Sequence, residues 1–390
     1  MPGPLRVALV AGEASGDTLG AGLIQALRRH EPAAEFFGVA GPKMRAVGCE
    51  VWEPAESLAV MGLYDVLREL PRLWRLISHL RTSFIAARPD VFVGIDAPDT
   101  NLRLAKKLHR AGIPTVQYVS PQVWAWRQSR VHTIHESVDL VLCLLPFECK
   151  FYENQGVAAE FVGHPLADAI PLEVDRAAAR ARLELPAAGE IVALLPGSRR
   201  GEVTRLAADF ARTAVWLAEH RPGIRFVAPM ASEAAREIFS RALNAIAPQV
   251  EVKMSDGEAQ AALIAADVAL IASGTATLEA ALCKRPMVVV YRTGPVTAFL
   301  LRKLNLVKSK FFAQPNLLAD RRVVGEYFQE QVDPPVLGAE LSMWLDDAGR
   351  RAKLEQEFVG LHVDLKRDAS ARAAQAIIDL LQRRRSVVRP

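Results

Sequence analysis

The chain of 390 residues exceeds what one hydrophobic core usually serves, so two domains of about 150 to 200 residues each are expected. Hydrophobic residues make up 51% and charged residues 24%, which excludes a disordered chain and allows large cores. Lys plus Arg (48) nearly balance Asp plus Glu (44), and the net charge of +4 gives no field that would by itself mark a nucleic-acid-binding protein.

From the N-terminus, Met1 leads directly into the apolar run Leu5 to Val10, without the charged-then-apolar layout of a signal peptide. No apolar run approaches the roughly 18 residues of a membrane span, so any membrane contact is expected to be peripheral. Strand-like runs Arg6 to Ala11, Val91 to Ile95, Pro114 to Val119 and Leu140 to Leu145 are each followed by a turn and a helix-period segment. That alternation predicts parallel βαβ units. Gly and Pro then interrupt both periodicities, and a hinge is expected near 164 to 175, followed by a polar helix from about Asp175 to Leu183. The pattern resumes with Ile191 to Leu195, Ile224 to Ala228, Val268 to Ala272 and Met287 to Tyr291. The fold class is therefore α/β, with two Rossmann-like lobes facing a cleft. After Tyr291 strands are expected to cease, leaving helices to about residue 385. The basic tail Arg383, Arg384, Arg385 and Arg389 reads first as a solvated helix end and second as a contact for anionic headgroups.

Candidate site residues lie where predicted strands end. In the first half, Gly12-Glu13-Ala14-Ser15-Gly16 follows the first strand, and glycine there lets a ligand approach the backbone, although a tight turn needs glycine anyway. Asp96 and Asp99 follow the strand Val91 to Ile95. A carboxylate in a cleft can take a proton from a hydroxyl as general base. Asp99, before Thr100-Asn101, fits helix capping better than Asp96, so Asp96 is the candidate base. Trp124 and Trp126, after a Ser-Pro turn, are either core or aromatic faces for a sugar ring or acyl chain. His132 and His135, three apart, have no third ligand nearby, His164 in the hinge is ambiguous, and the cysteines Cys49, Cys143, Cys149 and Cys283 lack CxxC spacing, so no metal site and no disulfide is implied.

In the second half, Pro196-Gly197-Ser198-Arg199 and Ser273-Gly274-Thr275 each join a strand to a helix, with Glu279 one turn further on. Helix N-termini beyond strand ends favour phosphate, Arg199 would add a charge-assisted fork, and the carboxylate of Glu279 could hold ribose hydroxyls. The alternatives are an ordinary turn with solvated arginines and a dipole-favoured glutamate. No Walker A or G-x-G-x-x-G motif occurs, and no D-x-D pair suggests a metal-held diphosphate. No cofactor is expected.

Eight segments together resemble the lipid-A-disaccharide synthase family of GT-B glycosyltransferases over nearly the whole chain. They are VAGEASGDTLGAGL (10–23), GVAGPKM (38–44), LAVMG (58–62), VFVGIDAPDTN (91–101), YVSPQVWAWR (118–127), LLPGSRRGEV (194–203), ASGTATLEAAL (272–282) and QPNLLA (314–319). The resemblance implies an acceptor-binding domain over 1–165, a UDP-sugar-binding domain over 166–365, and a C-terminal helix and basic tail over 366–390 that can pack back on the first domain. It implies an inverting enzyme that joins UDP-2,3-diacylglucosamine to 2,3-diacylglucosamine 1-phosphate by a β-1,6 bond. Asp96 would then be the base on the acceptor 6-hydroxyl and Arg199 a diphosphate contact. Ser273, Gly274, Thr275 and Glu279 would form the UDP site. Asn316 would contact the donor, and Glu13, Ser15 and Gly16 would line the substrate site. Arg200-Gly201 stands where relatives often carry Gly-Ala, and Thr100 replaces a frequent Phe, which touches local loop shape. Partners would be the UDP-sugar donor, the lipid acceptor and the cytoplasmic face of a Gram-negative inner membrane, with a homo-oligomer as a further expectation and no nucleic acid. The rival readings are a UDP-N-acetylglucosamine 2-epimerase-like enzyme and a non-catalytic peripheral lipid-binding module. For membrane contact, the stripe Leu63, Val66, Leu67, Leu70, Leu73, Trp74, Ile77 and Leu80, opposite Arg68, Arg72, Arg75 and His79, is either a docking face or core.

Overall fold

The computed structural model describes residues 3–58, 63–124, 128–294 and 309–388, with backbone alone for 63–70, 129 and 387–388. The chain divides into two compact units, Met1–Asp168 with Leu365–Pro390, and Ala169–Asp364.

Among the described residues, the first unit carries a seven-stranded parallel sheet. Its strands are β1 (Arg6–Ala11), β2 (Glu35–Ala40), β3 (Glu50–Pro54), β4 (Val91–Ile95), β5 (Thr115–Tyr118), β6 (Leu140–Cys143) and β7 (Ala159–Phe161), in the order β3-β2-β1-β4-β5-β6-β7. Apolar side chains alternate across it, as a sheet buried on both faces requires. Val7, Leu9 and Ala11 enter one core with Leu23, Ile24 and Leu27 of the helix Ala14–His30 and with Ala373, Ile377 and Leu381 of the C-terminal helix Ala369–Val388. Ala8 and Val10 enter the other, with Phe84, Leu104, Leu108 and Ile134.

The second unit carries six described parallel strands: β8 (Ile191–Leu195), β9 (Arg225–Met230), β10 (Val252–Asp256), β11 (Val268–Ala272), β12 (Met287–Tyr291) and β13 (Gly325–Phe328). Their order is β10-β9-β8-β11-β12-β13. β8 and β11 are buried along their whole length, which is why they read as unbroken apolar runs. The predicted polar helix is Arg176–Arg182, capped by Asp175, whose carboxylate accepts from the Ala178 amide at 2.8 Å.

One expectation is overturned. Strands do not cease after Tyr291, because β13 pairs in parallel with β12. β13 has four residues, three of them only half buried, so this edge strand shows no apolar run.

Candidate functional site

Each sheet has a switch point, where the strand order turns back on itself and two neighbouring strands send their connections in opposite directions. In open α/β sheets ligands bind beyond the carboxyl ends of such strands. In the first unit these are β1 and β4, with Ala11 beside Ile95. In the second they are β8 and β11, with Leu195 beside Ile271.

In the first unit the loop after β1 brings Glu13, Ser15 and Gly16 to the end of the sheet, with Glu13 and Ser15 exposed and Gly16 buried. A side chain on Gly12 would lie 3.4 Å from the Cβ atoms of Ala97 and Leu58, and one on Gly16 would lie 3.5 Å from the Ile95 carbonyl. The two turns therefore meet closely. Asp17 is occupied elsewhere: its buried carboxylate accepts from the amides of Gly41, Lys43 and Met44 at 2.9 to 3.0 Å.

Asp96 stands half buried at the crest after β4, at φ 53°, followed by Ala97 at φ 40°. Non-glycine residues seldom adopt this left-handed region, and such strain gathers at functional sites. The turn is held by its backbone. Its amide donates to the Tyr118 carbonyl at 2.9 Å, and its carbonyl accepts from Asn101 Nδ2 at 2.8 Å and from Gln117 Nε2 at 3.0 Å. Asn101 and Gln117 are fully buried and crowd Gly94, where an added Cβ would come within 2.7 Å of Asn101 Cβ. Among the described residues no hydrogen bond engages the Asp96 carboxylate.

The capping role considered for Asp99 is not what the structure shows. Ala97 is the N-cap of the helix Pro98–Arg110, without a side-chain cap, and the Asp99 carboxylate pairs with Arg130 at 2.5 Å. Aspartates at the opposite end of the sheet are committed to backbone. Asp90 accepts from the Arg6 amide at 2.9 Å, and Asp139 accepts from the Thr115 amide at 2.8 Å. His132 and His135 are exposed. Burial pushes His164 down to about 4, and its Nδ1 accepts from the Leu166 amide at 3.2 Å. Trp126 and residues 59–62 of the LAVMG segment lie outside the described residues. Among those residues no group of three or more His, Cys, Asp or Glu is placed to hold a metal ion.

In the second unit Gly197, at φ 121°, lets the chain turn from β8 into the helix Arg200–His220. A side chain there would come within 2.8 Å of Glu202 Cβ, and Glu202 in turn accepts from the Arg199 amide at 3.4 Å. Arg199 is the exposed N-cap of that helix. After β11, Gly274 lies at φ 152° with open space around it. The loop is buttressed from one side. Ser273 Oγ donates to the Phe312 carbonyl at 3.2 Å, while Thr277 Oγ1 donates to the Gly274 carbonyl at 2.8 Å and accepts from the Gln314 amide at 3.1 Å. Thr275 is exposed at the N-cap of Ala276–Leu282, and burial raises the carboxyl of half-buried Glu279 above its ordinary value.

Asn316 lies fully buried in the adjoining helix Gln314–Ala319. Its Oδ1 accepts from the amides of Val323 and Val324 at 2.7 and 3.0 Å, and its Nδ2 donates to the Val324 carbonyl at 3.0 Å. These bonds tie the buttress to the start of β13. Glu326 on β13 adds two more, from the amides of Phe312 and Ala313.

The switch points thus gather Glu13, Ser15, Gly16 and Asp96 in one unit, and Arg199, Ser273, Gly274 and Thr275 in the other. Asn101 and Gln117, which hold the Asp96 turn, had no role assigned from sequence. The only signal for Gln117 is a polar residue inside a strand buried throughout.

The profile of the lipid-A-disaccharide synthetase family matches residues 7–379. The chain belongs to this family. Lipid-A-disaccharide synthase of Pseudomonas aeruginosa (strain UCBPP-PA14) is 54% identical over 380 residues, covering 97% of this chain and 99% of the relative. That of Xanthomonas campestris pv. campestris (strain 8004) is 48% identical over 97% of this chain and 87% of its own. Among solved structures, UDP-GlcNAc 2-epimerase from Neisseria meningitidis bound to UDP-GlcNAc superimposes with a TM-score of 0.64 at 12% identity, covering 97% of this chain and 100% of the other. A glycosyltransferase from Rickettsia africae ESF-5 gives 0.59 at 9%, covering 98% and 99%. These two likenesses show the fold alone. Family membership makes the chain a glycosyltransferase, and the two parallel-sheet units have the GT-B type of architecture.

Proposed function

We propose that the two switch-point clusters divide one inverting glycosyl transfer between them. The reaction joins UDP-2,3-diacylglucosamine to 2,3-diacylglucosamine 1-phosphate. The acceptor 6-hydroxyl oxygen attacks the donor anomeric carbon, the bond from that carbon to the diphosphate breaks, and UDP leaves with the electron pair. Asp96 takes the hydroxyl proton as the new β-1,6 bond forms. Arg199 and the amides at the start of Arg200–His220 meet the charge growing on the departing diphosphate. Ser273, Gly274 and Thr275 hold UDP and Glu279 reaches the ribose, while Asn316, fully buried and bonded to the Val323 and Val324 backbone, holds the segment beside them rather than touching the donor as the resemblance implied. Glu13, Ser15 and Gly16 line the acceptor side.

The observation that carries this reading is Asp96 itself: a carboxylate at the switch point, on a strained turn whose every described bond is made by backbone, so that the side chain remains for chemistry. The enzyme acts in the cytoplasm, peripheral to the inner membrane of a Gram-negative bacterium. Among the described residues no helix is long and apolar enough to cross a membrane.

The test is UDP release from the UDP-diacyl sugar with and without the diacyl acceptor in detergent micelles, with the product weighed by mass spectrometry. Acceptor-dependent UDP release and a disaccharide 1-phosphate are expected. Epimerised UDP-sugar without acceptor, or lipid binding without turnover, would overturn the assignment.

A further inference from the structure

The Asp96 turn hangs on the end of β5, and the segment continuing from β5 carries a second arrangement for which the reaction above has no use. Ser120 and Pro121 lead into Trp124, whose indole Nε1 donates to Glu148 Oε1 at 3.2 Å. Glu148 is on the helix Pro146–Glu153, which follows β6, the strand next to β5. Its other oxygen accepts from the Leu145 amide at 3.0 Å, capping its own helix. The neighbouring Phe147 stands edge-on to the Trp124 ring, centroids 4.8 Å apart at 84°. Below, the hydroxyls of Ser120 and Tyr152 lie 3.2 Å apart, and each donates to the Pro121 carbonyl.

Capping accounts for one oxygen of Glu148 and does not require the carboxylate to be buried. Yet only 4% of the residue is exposed. The titratable groups facing it are Cys143, pushed up by its hydrogen bond with Cys149 and by burial, and Tyr152, pushed up by burial, and among the described residues no Lys, Arg or His is bonded to it. A buried carboxylate without a cation is costly, and a leucine or glutamine would fill the space without that cost. Besides its contact with the Ser120 side chain, what the carboxylate supplies is a strong acceptor for the N–H of a half-buried indole on the loop beside Asp96.

We propose that Glu148 is a positioning residue for transfer: its grip on the indole N–H fixes the Trp124 ring as an aromatic platform for the diacylglucosamine 1-phosphate acceptor beside the Asp96 turn. Aromatic rings set at a strand end suit the apolar face of a sugar or the root of an acyl chain. The proposal rests on reading the Asp96 turn as the acceptor end.

Two variants test it. Trp124→Phe keeps an aromatic face, smaller by the pyrrole ring, and deletes the N–H, whereas Glu148→Gln keeps an acceptor and removes the charge. Each is expected to raise KM for the diacyl acceptor about tenfold, with KM for the UDP-sugar unchanged and kcat reduced less. Because both act through one hydrogen bond, the double variant should be no worse than the poorer single one. In the parent, acceptor KM should rise as pH falls through about 7, where the buried carboxyl takes a proton and its hold on the indole weakens, and Glu148→Gln should flatten that rise. Unchanged acceptor KM in Trp124→Phe, or effects that simply add in the double variant, would overturn the proposal. So would equal loss of donor and acceptor KM, or a melting temperature that falls in step with activity. Failure of the Asp96 reading shows differently, as near-normal turnover in Asp96→Asn.

Discussion

Asn101 donates its side-chain amide to the carbonyl of Asp96 at 2.8 Å, and the same nitrogen lies 3.2 Å from the Ile95 carbonyl and 3.3 Å from that of Val10. One buried amide thereby binds the ends of β1 and β4 and the turn that carries the candidate base. The helix Pro98–Arg110 presents Asn101 there because Gly94 leaves its place empty. Asn101→Ala is expected to destabilise the protein by about 1–3 kcal/mol through unpaired buried carbonyls, and to lower turnover as the Asp96 turn loosens. A thermal melt and a steady-state assay on the same preparation check both. Full activity in a destabilised protein would mean that the turn does not depend on this amide.

Asp96→Asn separates the base from its scaffold, since the variant side chain keeps size and shape. Turnover should fall on the order of 100-fold or more, with UDP-sugar binding retained. Calorimetric titration with UDP beside the turnover assay would show it. Asp99 is the next candidate if turnover survives, and its pairing with Arg130 makes the double variant Asp99→Asn, Arg130→Ala the informative follow-up.

The α/β class was legible because β4, β8 and β11 are buried on both faces and leave continuous apolar runs. Edge strands left no such trace: β3, β7, β10 and β13 are largely half buried, while the interior strand β2 is broken in pattern by Gly38, at φ 139°, where a Cβ would collide with the Leu9 carbonyl. Strand-end position singled out Asp96 and Arg199, but what holds them was hidden. Gln117 and Asn101 bond to backbone carbonyls, which have no sequence signature. Glu148 reaches a tryptophan 24 positions away, a pairing that exists only once β5 and β6 lie side by side.

Arg199 should matter to the leaving group more than to folding. It is exposed at the head of a 21-residue helix, so Arg199→Ala should leave the melting temperature nearly unchanged. Transfer should weaken severely, because developing charge on the diphosphate loses a fixed cation. With that cation and the helix amides supplying positive charge, activity is expected to persist in EDTA. Loss of activity in EDTA with recovery in magnesium would refute this account.

His164 and Glu148 set opposite pH dependences of stability. The His164 pKa is depressed to about 4, so the unfolded chain binds a proton near pH 6.5 that the folded one refuses. Stability linked to His164 is complete above about 6.5 and is lost as pH falls toward 4, by at most a few kcal/mol. Glu148, raised to about 7 by burial, works the other way, with the folded state disfavoured as pH rises from 4.5 through 7. His164→Asn can keep the bond from the Leu166 amide without titrating. The melting temperature of the variant minus that of the parent should therefore rise as pH is lowered from 6.5 to 4. A difference independent of pH would show that His164 takes its proton in the folded state.

The structure divides the apolar stripe of the helix Leu63–Ala87. Leu80 and Phe84 are buried, and Leu73 and Leu76 pack partly against the same core. Trp74 is 57% exposed, with the Arg103 guanidinium 5.4 Å from the centre of its ring. Leu70 lies where only the backbone is described, so the stripe separates at Leu73 and Trp74. A core residue and an interfacial anchor then predict opposite outcomes at adjacent positions. Leu73→Ser should lower the melting temperature and leave anionic liposome binding per folded molecule unchanged. Trp74→Ser should leave the melting temperature in place and weaken liposome binding and activity on membrane-presented acceptor, since an exposed Trp among arginines suits the headgroup boundary. Raising salt should weaken the parent's binding more than it weakens a variant with Arg75 and Arg103 both changed to Gln. If Trp74→Ser binds anionic liposomes as well as the parent, this face of the helix does not dock.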